Sequence, residues 1–151
     1  MSTPERRRTA CRRRIAADPT STALLLAGPS AMDLWPGVQR VASVEGGLVV
    51  ETRLPSRPHA AATVRAFPPK RTPTSYVTRF TWEGPGLPAT SGELTLSFLP
   101  EDDGTLETEA SLVLESDAAA VSSLDELTLR ELAKGFLANL AAAAELRSHA
   151  A

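Results

Sequence analysis

The chain of 151 residues has the length of one ordinary domain and is long enough to bury a sizeable core. With 42% hydrophobic and 23% charged residues it has the composition of a folded globular protein, and a formal net charge of −2 argues against a dominant nucleic-acid or anionic-membrane partner. A single cysteine, Cys11, excludes an internal disulfide or a cysteine metal cluster, and with only His59 and His149 as histidines neither a metal site nor a cofactor is expected.

Residues 1–7 are polar and basic and read as a disordered tail. Arg6, Arg7 and Arg8 raise the question of a twin-arginine export signal. Such a signal needs an apolar stretch of roughly 7–15 residues soon afterwards. Arg12, Arg13 and Arg14 intervene, and Leu24–Leu26 is too short a run. No stretch reaches the ~20 apolar residues that span a bilayer. A cytoplasmic protein without membrane insertion is therefore expected, and heavy use of Ala, Arg and Pro suggests a GC-rich genome.

A first strand is predicted from about Arg8 to Ala16, ended by Asp18-Pro19. Thr20 or Ser21 is placed to cap a short helix through Leu24–Leu26, and Ser30 a second turn through Met32, Leu34 and Trp35. Val38–Val44 and Leu48–Leu54 flank Gly46-Gly47, a hairpin signal. A strand follows at 59–67, and its inward face is left open because Ala60, Ala62 and Val64 alternate with His59, Ala61, Thr63 and Arg65. Tyr76–Trp82 puts Tyr76, Thr78, Phe80 and Trp82 on one face. Glu93–Leu99 turns Leu94, Leu96 and Phe98 inward, and Leu106–Leu114 turns in Leu106, Ala110, Leu112 and Leu114.

Short connections make this an antiparallel meander, apolar on one face only, which something must cover. The cover is a helix from about Leu124 to Arg147, roughly 35 Å long. Leu127, Leu129, Leu132, Phe136, Leu140 and Ala143 form its apolar stripe, set against the inward faces of the last three strands. The fold class is α+β, a curved antiparallel sheet of about six or seven strands around a long C-terminal helix.

Strand, two short helices, antiparallel strands and one long helix is an order that resembles the helix-grip fold of the START-like, or SRPBCC, superfamily. Asp18-Pro19, the segment Leu34-Trp35-Pro36-Gly37-Val38, and residues 74–82 carry the local likeness. It spans about Thr9 to Arg147 and implies one START-like domain over residues 8–150. It also implies a cavity between sheet and C-terminal helix for a hydrophobic or aromatic ligand. Relatives range from lipid-transfer proteins to polyketide cyclases and dehydratases, so reaction type does not follow from the fold.

The residues expected to line that cavity are Trp35, Tyr76, Phe80, Trp82, Leu96, Phe98, Leu112, Phe136 and Leu140. The alternative for each is plain core packing. Tyr76 is the candidate hydrogen-bond donor to a ligand carbonyl, or else a rim residue. An enzymatic variant needs Tyr76, His59 or Arg65 to converge, with His59 as a base and Arg65 as an anion anchor. Glu51, Arg53, Arg79, Glu93, Glu107 and Glu109 fall on the outer face, where cross-strand charge pairing accounts for them. Three readings follow. One is a non-catalytic or weakly catalytic binder of a small hydrophobic molecule. The second is a cyclase- or dehydratase-like enzyme. The third is an interaction protein with a filled interior, for which a homodimer is left open.

Overall fold

A computed structural model describes residues 6–26, 29–45, 47–54, 57–84, 87–117 and 126–149. The order is β1 (Arg6–Ile15), α1 (Pro19–Leu24), a 3-10 helix (Pro29–Leu34), β2 (Val38–Val44), β3 (Gly47–Leu54), β4 (Arg57–Ala66), β5 (Lys70–Arg71), β6 (Ser75–Gly84), β7 (Leu87–Pro100), β8 (Leu106–Asp117) and α2 (Glu126–His149). Every recorded pairing is antiparallel, in the order β1-β8-β7-β6-β4-β3-β2, with the two-residue β5 attached to β6. This is the helix-grip arrangement, a curled sheet with a long C-terminal helix on its concave face.

Alternation sets the inner face as expected. Leu94, Leu96, Ala110, Leu112 and Leu114 are buried, whereas Arg79 and Glu93 pair on the outside at 2.8 Å. Arg14 likewise reaches Glu107 at 2.7 Å and also contacts Glu101. These carboxylates hold the Arg14 guanidinium above its ordinary pKa. Arg8 meets Glu115 at 3.4 Å, while Arg12 and Arg13 stay exposed.

Several expectations need correction. β1 begins at Arg6, so Arg6 and Arg7 belong to the sheet opposite Asp117 and Ser116 and not to a tail; residues 1–5 lie outside the described ones. β7 begins at Leu87, where it pairs with Gly84 of β6, and from Thr90 its backbone pairs with both β6 and β8 through a stretch, Thr90-Ser91-Gly92, too poor in apolar residues to announce a strand. Leu106 is exposed, since it stands at the sheet end beyond the buried core, and Thr108 takes the inward place after it. Thr108 is tolerated there because its Oγ1 donates to the Ala17 carbonyl at 2.8 Å.

The open face of β4 is decided by register. Val64 stands opposite Trp82, and Val64 and Ala62 are buried while Arg65 and Phe67 are exposed. The buried arc of α2 is wider than the predicted stripe. Leu129, Phe136 and Leu140 are buried, joined by Ala133, Leu137, Ala141 and Ala144, while Leu132 is only partly buried. Leu127 lies outside the described side chains. The small alanines let α2 lie closest along β1 and β8, where the expectation set it against β6, β7 and β8 alone, while Phe136 faces β6 and β7 across a cavity.

Two junctions fix the cover. Asp18 caps α1, with Oδ1 accepting from the Ser21 N–H at 2.8 Å and Oδ2 from the Ser21 hydroxyl at 2.7 Å. Those bonds favour the carboxylate and lower its pKa. The stabilisation is therefore complete above the ordinary Asp range and lost as pH falls through the lower folded value. Asp18→Ala is expected to cost ~1 kcal/mol in urea unfolding at neutral pH. The difference from wild type should shrink in acid.

The second junction docks the 3-10 segment on α2. Asn139 Nδ2 donates to the Leu34 carbonyl at 2.8 Å, and a Cβ on Gly135 would lie 2.6 Å from Pro36 Cγ. Gly to Ala within a helix ordinarily stabilises by ~1 kcal/mol. Here the sign is expected to reverse, because the pyrrolidine ring is not a flexible side-chain end. Gly135→Ala should lower the thermal midpoint, and a raised midpoint would contradict this packing.

Candidate functional site

Between α1, the 3-10 helix and α2 on one side and β4, β6 and β7 on the other lies a cavity of about 80 Å³. Trp35 is its centre. The indole is stacked on Phe136 at 4.3 Å and 28°. It meets Phe80 and Trp82 edge-on at 5.5 and 5.2 Å. Such offset and T-shaped pairs are the favoured aromatic geometries. Phe136 comes from α2, Phe80 and Trp82 from alternate positions of β6, and Trp35 from the turn after the 3-10 helix.

Four of the nine predicted lining residues, Trp35, Phe80, Trp82 and Phe136, border this space. Leu96, Leu112 and Leu140 are fully buried core residues away from it. Phe98 is half-buried near the far end of β7 and does not line it. The remainder of the lining includes Leu26, Ala31, Met32, Val64, Ala66, Thr78 and Leu94. Thr78 and Leu94 are on faces the alternation identifies as inward; Val64 and Ala66 await the register of β4.

Tyr76 is buried but borders no part of the cavity. The Arg71 guanidinium lies 5.5 Å from its ring centroid. Burial raises the phenol pKa, partly offset by the Arg71 charge. Arg65 is exposed and donates to the Glu45 carbonyl at 3.2 Å, so it cannot converge with Tyr76. The physical reason is the pleat, which points Arg65 away from Val64. The side chain of His59 lies outside the described ones.

The cavity's chemistry is uniform. Among the described residues no ionisable side chain lines it, and the lining side chains that carry a polar hydrogen are Thr78, Trp35 and Trp82. A larger recess of about 350 Å³ shares Phe80 with this cavity and is bordered also by Arg8, Phe67, Arg79, Gly92, Glu93 and Glu115. Its charged groups are engaged in the outer-face ion pairs already described.

No family model matches the chain, and no curated protein matches it. Solved structures do resemble it. A conserved protein from Geobacillus kaustophilus superposes with a TM-score of 0.62 at 12% identity, covering 88% of this chain and 91% of that one. A hypothetical protein from Helicobacter pylori gives 0.63 at 10% identity, covering 94% and 89%. The major latex-like protein 151 of Panax ginseng gives 0.57 at 9% identity, covering 92% and 97%. At these identities the likeness shows the fold alone, a helix grip. Among the described residues, no helix is long and apolar enough to cross a membrane.

Proposed function

We propose that this chain is a START-like binding protein that holds a small, uncharged, largely apolar molecule among Trp35, Phe80, Trp82 and Phe136. One observation carries the reading. The chain has four Phe, two Trp and one Tyr, and both Trp and two of the Phe border this single void. A wall with no ionisable group among the described residues disfavours a carboxylate or ammonium, whose unpaired burial is costly.

Both tryptophans of the chain line the cavity, so intrinsic fluorescence reports on it directly. Titration with cyclohexanone, an uncharged ring bearing one acceptor, is expected to change indole emission saturably and raise the thermal midpoint. Cyclohexanecarboxylate is expected to do neither. A linear, unsaturable response to both compounds with no midpoint shift would remove the proposal.

Cavity size favours one other reading. About 80 Å³ is well below the roughly 300–1,000 Å³ of ordinary ligand pockets. A filled interior would leave the work to a surface, including self-association. That reading requires a mass that rises with concentration in sedimentation, together with no ligand response.

A further inference from the structure

One ring in the cavity wall has an unusual seat. Phe80 and Gly92 stand directly opposite each other on β6 and β7. A Cβ built on Gly92 would lie 2.3 Å from Phe80 Cζ and 2.4 Å from Cε2. The Phe80 ring therefore occupies the place a side chain at 92 would take. No other residue type at 92 leaves room for it without movement. The same ring forms part of the cavity wall and meets Trp35 edge-on. Phe80, like Trp82, is only partly buried, whereas Trp35 and Phe136 are buried, so the Phe80 ring is less confined than those two.

We infer that Phe80, seated in the notch left by Gly92, is the specificity-determining residue of this site and limits its occupant to an uncharged molecule about one ring wide. This rests on the ligand-binding reading above and adds the feature that sets size. An apolar cavity of ~150 Å³ suffices for benzene. The present void is about 80 Å³, so even a single ring must tilt Phe80 within its notch, and a fused two-ring molecule is excluded while the phenyl group remains. Removing that group opens the space toward Gly92, a position with no side chain of its own. Filling the notch has the opposite effect. A methyl at 92 drives the ring out, and the cavity is the space adjoining it.

The test uses the full chain with two uncharged ketones, cyclohexanone and the fused two-ring decalone, read by saturable fluorescence change and midpoint shift. Wild type is expected to bind cyclohexanone and not decalone. Phe80→Ala is expected to bind decalone about tenfold or more tightly than wild type while still binding cyclohexanone. Gly92→Ala is expected to lose cyclohexanone affinity by about tenfold with its far-UV dichroism retained. Phe80→Leu serves if the alanine variant fails to fold, with a smaller gain for decalone expected. Should wild type bind cyclohexanone while neither Phe80 variant gains decalone binding, the size-limiting role is wrong and the binding reading stands. Should wild type already bind decalone as tightly as cyclohexanone, the size limit is likewise wrong. Should no ketone bind wild type or any variant, the binding reading falls and the inference falls with it.

Discussion

Replacing Phe136 with alanine is expected to lower the unfolding free energy by ~3–5 kcal/mol. The ring is 2% exposed and stacked on Trp35. Its loss leaves a hole between α2 and the 3-10 segment and frees the Trp35 indole on one face. The segment is also tied to α2 by the Asn139–Leu34 bond and the Gly135–Pro36 contact, so the backbone cannot simply collapse into the hole. Cavity and transfer contributions therefore add, placing the cost in the upper part of the large-to-small range. Against a typical domain stability of ~5–15 kcal/mol, this is a third or more of the total in most cases. Urea unfolding followed by far-UV dichroism measures it. A loss below ~1.5 kcal/mol, the scale of a volume-conserving swap, would mean that Phe136 does not clamp the cover to the sheet.

The second large effect comes from placing a carboxylate on the inner face. Leu94 is 1% exposed, with Thr78 and Leu112 as its cross-strand partners and Cys11 beyond Leu112. None of these carries a cation. In Leu94→Asp, burial would raise the new carboxyl's folded pKa by roughly 3–5 units. At 1.36 kcal/mol per unit that is about 4–7 kcal/mol, in addition to the lost apolar contact. The sign fixes the pH dependence. A raised folded pKa means the native state holds the proton longer, so stability declines as pH rises from the unfolded value near 4 through the folded one. The variant should be most nearly folded in mild acid and unfolded at neutral pH. The adjacent Glu93, which pairs with Arg79 on the outside, provides the control. Glu93→Leu is expected to cost at most ~1 kcal/mol, as exposed ion pairs do. Equal effects at 93 and 94 would mean that the faces of β7 are assigned wrongly.

The contrast between these neighbours marks what sequence alone reveals. Strict alternation makes the faces of β6, β7 and β8 legible from Tyr76 to Leu114, and the period of Leu129, Phe136 and Leu140 makes the helix legible. Where residues are small the signal fails. Ala60, Ala62 and Val64 are no more apolar in pattern than their neighbours, and only the pairing of Val64 with Trp82 settles β4. Ala133, Ala141 and Ala144 are buried on a helix whose main strand neighbour is β1, which no hydrophobic period announces. Residues 90–92 of β7 are paired to strands on both sides, and their own side chains give no apolar signal.

The site was legible to a similar depth. Trp35, Phe80, Trp82 and Phe136 were identifiable as inward aromatics on separate elements, but their convergence on one void is a tertiary fact. Tyr76 shares the inner face of β6 with Phe80 and Trp82, yet it stands at the other end of the strand, outside the cavity wall. The volume was not legible at all. The Phe80 ring that borders it lies over Gly92, and a glycine in a run of Thr, Ser and Glu carries no sign of what lies across it.

The most direct test is an isotope-filtered NMR measurement of contacts between bound cyclohexanone and the full chain. Cross-relaxation from the ketone to the indole protons of both Trp35 and Trp82, saturating with ligand concentration, is the predicted result. Contacts confined to exposed residues such as Phe67, or none with either indole, would contradict a ligand site beneath the helix.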